Sequence, residues 1–547
     1  MVLLLPFIDS IQIYQWPHLV ITILQFIHSI YFIIINAIFN FILLITSKKN
    51  IPRIKNDLLF VPAHEAARMI RDKEITSYKL VEAYIERQKE VNPYINAIVE
   101  NNYEAALKNA KQVDEYIKRV FPNTKEYDDI VKNKPLLGVP FTLKNSIKCE
   151  EFNPIVGIVA RCNGDDFRDK IYCKGVQRWK DAGAILIAST NVPELCMWIE
   201  SNNKVWGRTN NPYDTRRTSG GSSGGEGAII GAGGSLFGAG SDIAGSIRIP
   251  SAFCGIFGYK HTPRAINPQG HVPEPDDNIT HMVAQAPMVR YASDLKFVTK
   301  IYMSEEEREL LRMDEEIDFD KLNFFVIEDF SFMEAEPVSS DCLQAIRSVV
   351  KMIEDSNKTV VPLYFDEFKY TNNIWQATLQ LYTNNDVTGF SVYMTNFEKN
   401  VKVNFLLEAL KHMLCIGSNH DLAVMLWLYE MKSIRYLSEP LKKIYLEMRE
   451  KLSLRVNKVL GDHGVLIVPS YPIVAPAHNQ PIFARMDKSY SEIFNALGLP
   501  AIICPVHINS SGIPVTVQIV AGRNQDRLLF PVAEVIEKKF GGWKEPK

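Results

Sequence analysis

The first pattern along the chain is a long apolar run. No Asp, Glu, Lys or Arg occurs from residue 10 to 47, and Leu19 to Thr46 are dominated by Ile, Leu, Phe and Val. At about 1.5 Å per residue such a run exceeds a hydrocarbon core of roughly 30 Å, which predicts a transmembrane helix over 19–46. A signal peptide would want a basic leader, a shorter apolar stretch and a small-residue cleavage site, and none of these is present. A buried core helix would not need this length. Thr22, Gln25, Ser29, Asn36 and Asn40 fall at helical spacing on one face of the span. That face suits a second helix, or it is a set of polar residues tolerated in a long span. Lys48, Lys49, Arg53 and Lys55 follow the span, while Asp9 is the only charged side chain before it. The positive-inside rule then puts the rest of the chain in the cytoplasm, whereas sequons at Asn278, Asn357 and Asn509 argue the other way, so orientation stays open.

Past a linker over 47–61, residues 62–92 carry apolar positions at three and four spacing. They predict two helices, H-E-A-A-R-M-I-R-D-K and, capped by Ser77, Y-K-L-V-E-A-Y-I-E-R-Q-K-E-V. Short apolar runs then alternate with helical stretches: G-V-P-F-T-L, A-I-L-I-A-S-T, S-L-F-G-A-G, L-N-F-F-V-I, G-V-L-I-V-P, P-A-I-I-C-P-V and V-T-V-Q-I-V. Runs of this kind are buried on both faces, so the alternation predicts an α/β fold with a doubly covered sheet. No repeat or low-complexity linker divides 62–547, which is taken as one domain behind the 1–18 segment, the span and the linker. Between 304 and 460 the aromatic and Met residues Trp375, Tyr382, Phe390, Tyr393, Phe397, Met413 and Trp427 read as helix core.

Composition narrows the function. A net charge of −2 gives no electrostatic reason to expect nucleic acid. Eight cysteines without a C-x-x-C pair and eleven histidines without H-E-x-x-H point to no metal site and no redox motif. The chemistry concentrates instead in Thr218 to Pro250, T-S-G-G-S-S-G-G-E-G-A-I-I-G-A-G-G-S-L-F-G-A-G-S-D-I-A-G-S-I-R-I-P. Glycine at this density implies tight loops whose N–H groups can face inward, an anion or oxyanion cradle. The stretch has no lysine, which excludes a P-loop, and no G-x-G-x-x-G is completed. G-x-S-x-G occurs around Ser222 and Ser223, but a loop precedes it where a hydrolase elbow needs a buried strand. Ser223 and Glu226 have capping-box spacing, so a helix is expected to start here with Ser222 beside its N-terminus, and Ser246 follows the S-L-F-G-A-G strand.

These motifs resemble the amidase signature family of serine hydrolases. G-G-S-S-G-G-E-G-A followed by S-D-I-A-G-S-I-R-I-P carries Ser222 and Ser246 at the family's spacing, and G-V-P-F-T-L-K ends at Lys144 where the family has its lysine. T-N-V-P-E-L, G-R-T-N-N-P and S-A-F-C-G-I-F-G-Y-K also look like the family core. The apolar span and the closing V-Q-I-V-A-G-R-N-Q-D-R-L-L and F-G-G-W-K-E-P resemble its fatty-acid amide hydrolase branch. The resemblance implies a large mixed sheet sandwiched between helices, a catalytic triad Lys144, Ser222 and Ser246, and no cofactor. It also implies an oxyanion held by the N–H groups of Ile243, Ala244, Gly245 and Ser246, with Cys196 lining the acyl site. Two departures stand out. Ala244 replaces a common glycine, which would cost about 1–2 kcal/mol if that residue needs positive φ, and C-E-E-F-N-P-I-V-G-I does not match the family after the lysine.

The expected function is a membrane-anchored serine amidase acting on fatty-acid amides, single-pass, at an endomembrane or lipid-droplet surface. Expected partners are the acyl amide and the membrane; a homodimer stays open and nucleic acid is not expected. The alternatives are an amidase acting on glutamine or another small amide, and an inactive lipid-binding relative.

Overall fold

The computed structural model describes residues 18–547 apart from 163–171, 331–334, 396–401 and 485–486. The apolar run forms one helix, α1 (His18–Ile45), and its window Phe26–Ile45 is long and apolar enough to cross a membrane. Of its most apolar stretch, 22 % is buried against the rest of the chain. Phe32, Phe39 and Leu43 form the covered side, the latter two packing with Ala477, while Phe26, Ile33, Phe41 and Leu44 stay exposed. The polar stripe has an occupant within the chain itself. Asn36 donates to Glu336 Oε2 at 2.8 Å and accepts from Gln480 at 2.7 Å, whereas Ser29 and Asn40 are exposed. The Thr22 and Gln25 side chains lie outside the described residues, as does the 1–17 segment.

The two expected helices follow as α2 (Ala63–Arg71) and α3 (Ser77–Ile95). The cap of α3 is one residue earlier than the spacing predicts. Thr76 accepts from Lys79 N, and Ser77 is free to donate to Gly138 O at 2.9 Å because Asp114 takes the first two helical N–H groups.

All seven anticipated runs are strands, and four more join them. In chain order the main sheet contains β1 (Ile98–Asn101), β2 (Pro140–Lys144), β3 (Ile185–Thr190), β4 (Phe237–Asp242), β5 (Phe257–Lys260), β6 (Ala284–Val289), β7 (Asn323–Val326), β8 (Val360–Pro362), β9 (Gly464–Pro469), β10 (Ala501–Ile508) and β11 (Pro514–Ala521). Their spatial order is β1-β3-β2-β4-β6-β5-β10-β11-β9-β7-β8. β2 runs parallel to β3 and β4, β7 parallel to β8 and β9, and the remaining pairs are antiparallel, so the sheet is mixed as the resemblance implies.

Double burial follows from the period of two along each strand. Val465, Ile467, Ile502, Cys504, Val517 and Ile519 enter one core; Leu466, Val468, Ala501, Ile503 and Val520 enter a second on the opposite face. The missed strands have a physical explanation. β1 and β8 are four- and three-residue edge strands, with polar Glu100 and Asn101 in the first, while β5 and β6 contain Gly258, Lys260, Gln285 and Pro287 inside a buried run.

Candidate active site

Two adjacent strands and a loop converge on one point. β2 and β4 lie side by side, so Lys144 at the end of the former comes beside Ser241 and Asp242 at the end of the latter. The Gly-Ser loop supplies the third component and leads into α4 (Gly224–Gly231). The helix begins where the spacing predicts, but the capping box is not made. Ser223 Oγ donates to Ser241 O, and Glu226 turns into the core to accept from Thr142 at 2.7 Å and Thr190 at 2.9 Å. Room for that carboxyl comes from Gly238, where a Cβ would lie 2.1 Å from Glu226 Oε2. Burial pushes the Glu226 carboxyl up to about 8, so it is uncharged near neutrality.

Lys144 is fully buried, with Nζ 2.7 Å from Ser222 Oγ and 2.9 Å from Ser241 Oγ. No carboxylate forms an ion pair with it among the described residues. Burial therefore holds its pKa below the ordinary lysine value, against the pull of Cys196, Asp242 and Glu226. A second layer orders the ammonium. His271 Nδ1 donates to Pro273 O at 2.8 Å, which leaves Nε2 as an acceptor 2.8 Å from Ser241 Oγ. Burial, with repulsion from Lys144, holds this ring down to about 4. With Lys144 neutral, hydroxyl and N–H protons run in one direction. Ser222 donates to Nζ, Nζ to Ser241, Ser241 to His271 and His271 to Pro273 O. Ser241 lies within the glycine-rich stretch, where nothing in its spacing marks it. His271, in N-P-Q-G-H-V-P, has no sequence spacing to mark it.

Ser246 stands at the end of a loop tied down from outside. Burial works to raise the Asp242 carboxyl, and Arg248 overrides it through contacts of 3.0 and 2.9 Å, holding it well below the usual carboxylate range. Asp242 also accepts from Gly245 N at 2.9 Å and Ile247 N at 3.1 Å. The Gly245 N–H is thus engaged, and those of Ile243, Ala244 and Ser246 have no hydrogen-bond partner among the described residues. The concern over Ala244 is resolved by the backbone. Positive φ falls on Gly245, at 115°, and Ala244 is not left-handed. A Cβ on Gly245 would lie 2.7 Å from that of Ser491.

Ser222 and Ser246 border one cavity of about 740 Å³, partly open to solvent, whose wall includes Ile243, His271, Ile279, Val283 and Leu379. A second lobe of about 480 Å³ is lined by Trp198, Ile199, Ile249, Trp427 and Lys488 and meets the first at Cys196, Met197, Ile243, Ser246 and Trp375. Leu195 and Cys196 turn through φ of 57° and 59°, a strained pair that forms part of the wall. Cys196 borders both lobes. Trp375 on α5 (Thr371–Tyr382) is buried and also pins the loop, its Nε1 donating to Ile243 O at 3.0 Å. Of the aromatic and Met residues read as core, Trp375 and Trp427 border the cavity, Tyr382 stacks on His281, Tyr393 lies under Arg161 and Met413 is exposed. Phe397 and the Phe390 side chain fall outside the described residues.

The Amidase family profile matches residues 79–530. Fatty-acid amide hydrolase 2-A of Danio rerio is 40% identical over 91% of this chain and 92% of its own length, and fatty-acid amide hydrolase 2 of Homo sapiens is 35% identical over 90% and 91%. The solved structure of a fatty acid amide hydrolase superposes with a TM-score of 0.71 at 21% identity, covering 89% of this chain and 86% of that one, which establishes the common fold.

Proposed function

This chain belongs to the amidase family and is a hydrolase of amide C–N bonds, and we propose that it cleaves fatty-acid amides at a membrane through an acyl-enzyme on Ser246. The observation that carries this reading is a buried lysine with no ion-pair partner among the described residues, 2.7 Å from one serine of a cavity whose wall contains the other. A serine hydroxyl needs a base to take its proton as it attacks a carbonyl. Neutral Lys144 is that base, acting through Ser222. The Ser246 proton passes to Ser222 as the Ser222 proton passes to Nζ, and the Ser246 oxygen bonds to the carbonyl carbon. Negative charge on the carbonyl oxygen is met by the free N–H groups of Ile243, Ala244 and Ser246, each such donor contributing about 2.7–4 kcal/mol. The relay then reverses: Lys144 returns its proton to Ser222, and Ser222 gives one to the departing nitrogen as the C–N bond breaks. Water attacks the acyl-enzyme by the same route and frees the acid.

The membrane part of the proposal rests on α1 and on a second apolar surface. On α6 (Phe405–Met413) and just beyond it, Leu406, Leu407, Leu410, Met413, Leu414 and Ile416 are all at least 43% exposed, more than isolated surface residues would explain. α6 packs against α7 (Leu422–Tyr429), which brings Trp427 to the smaller lobe. An apolar surface next to that lobe suits delivery of an acyl chain from a bilayer. Residues 62–547 are proposed as a self-sufficient amidase domain. Deleting 1–50 is expected to leave it folded and active, with vesicle binding reduced but retained, because the proposed triad lies wholly beyond the deletion. Loss of folding on truncation would make α1 a core helix.

Substrate class is tested by kcat/KM over straight-chain acyl amides of increasing length, with glutamine alongside. Each methylene buried contributes about 0.8 kcal/mol, at most roughly fourfold per carbon, so efficiency should climb until the lobe is filled. Glutamine should be poor, since its ammonium and carboxylate would lose hydration in a lobe whose one charged side chain among the described residues, Lys488, is already paired with Glu492. A flat series, or glutamine turned over faster than oleamide, would overturn the fatty-acid reading and leave the amidase one.

A further inference from the structure

The smaller lobe contains a charge that a plain alkyl chain does not require. Lys488, just before α8 (Ser489–Ala496), is 5% exposed, and its Nζ lies 4.7 Å from the ring centroid of Trp375 and 4.6 Å from that of Trp427. It is hydrogen-bonded to Glu492 one turn along, the only oxygen that accepts from it among the described residues. Glu492 also accepts from Asn372 at 2.9 Å and Ser489 at 3.1 Å. Asn372 in turn accepts from Arg435 at 2.9 Å, and Arg435 pairs with Glu430 at 2.6 Å. Two cations and two carboxylates thus balance in a buried network. A lysine nitrogen carries up to three N–H donors. One is directed to Glu492, and the indoles that flank the rest are themselves walls of the lobe.

Which part of a substrate reaches this lysine follows from Ser222, an argument that rests on the function proposed above. Ser222 borders the larger lobe and not the smaller. If it returns the proton to the departing nitrogen, the amine leaves through the larger lobe and the acyl chain occupies the smaller one. An unsubstituted chain there would cover the Lys488 donors without offering them an acceptor, which costs binding. A carboxylate on the chain would be an unbalanced buried anion. A neutral oxygen satisfies the donor without adding charge.

We propose that the smaller lobe is a polar acyl subsite in which Lys488, held between Trp375 and Trp427, donates a hydrogen bond to a hydroxyl, keto or epoxide oxygen on the acyl chain. The substrate class this selects is the amide of an oxygenated fatty acid.

The test is calorimetric binding to the full chain carrying Ser246→Ala, which needs no turnover. The ligands are dodecanamide and its hydroxy and keto derivatives with the oxygen moved along the chain. At the position that meets Lys488, the oxygenated amide should bind roughly tenfold or more tightly than the parent. Lys488→Met should erase that gain, as should Lys488→Met combined with Glu492→Gln, which leaves no unpaired carboxylate, and Lys488→Arg should keep part of it. If oxygenated chains bind more weakly than the parent at every position in the Lys488-intact protein, the proposal is overturned, whether or not the variants fold. Turnover separates the two readings. Active enzyme that hydrolyses plain amides while the oxygen series shows no gain loses only the subsite. A Lys488-dependent gain in a protein that hydrolyses no acyl amide keeps the subsite and removes the proposed substrate reaction.

Discussion

Ser246→Ala is expected to abolish both labelling by a fluorophosphonate and amide hydrolysis, a loss on the order of 10⁶-fold when a nucleophile is deleted from a cooperating set. The methyl group cannot form the acyl bond, and what remains is solvent attack on a substrate held by the oxyanion loop. Folding should be unaffected. Ser246 is pinned through its carbonyl, which accepts from Ser223 N at 3.1 Å, and the loop is fixed by Asp242 and Arg248, all of which the variant keeps. Ser222→Ala should behave differently. Ser246 survives there but is cut off from Lys144, so slow turnover and slow labelling should persist at about 10²–10⁴-fold below wild type, the usual contribution of proton transfer. Mass spectrometry of the labelled peptide decides the assignment. A modified residue other than Ser246, or full activity in Ser246→Ala, would sink it.

Much of this was legible because motif residues are close in sequence and their chemistry is unusual. Ser222 and Ser246 stand in one stretch, and a lysine ending an apolar strand is conspicuous. The seven predicted strands were readable for the same reason, being continuous apolar runs. What the sequence hid was set by tertiary contacts. Glu226 has the spacing of a helix cap, yet Thr142 and Thr190 from two other strands draw its carboxyl inward. Asn36 falls on the face that suits a second helix, and its partners are 300 and 444 residues away. Trp427 has the apolar neighbours Ala423, Val424 and Met431 at helical spacing, and Trp375 has Leu379. Only the placement of α5, α7 and α8 around Ser246 turns them into cavity walls. Lys488 and Glu492 have the spacing of an ordinary i,i+4 pair, but the indoles that complete its surroundings come from two other helices and spacing does not reveal them.

Replacing Lys144 should remove the pH dependence of the reaction along with most of its rate. In the wild type, kcat/KM should rise with pH as Nζ loses its proton, at a pH below the ordinary lysine value because burial disfavours the ammonium. Lys144→Ala, or the nearly isosteric Lys144→Met, should flatten that rise and lower the rate about 10²–10⁴-fold. Two neighbours complicate the profile. His271, held down to about 4, stays neutral across the range measured, so it contributes no step above pH 6. Glu226, at about 8, ionises within it and would pull the Lys144 proton back, so Glu226→Gln should sharpen the rise where Lys144→Met abolishes it. Stability gives an independent check. Lys144 binds its proton less tightly folded than unfolded, so between its lowered folded value and about 10.5 the unfolded chain carries more protons and stability increases as pH rises through that window. Below the window the buried ammonium is a constant burden, which Lys144→Met removes. The melting temperature of that variant at pH 6 should therefore be no lower than wild type while its activity is nearly gone. A variant that keeps the wild-type pH profile would take lysine out of the mechanism.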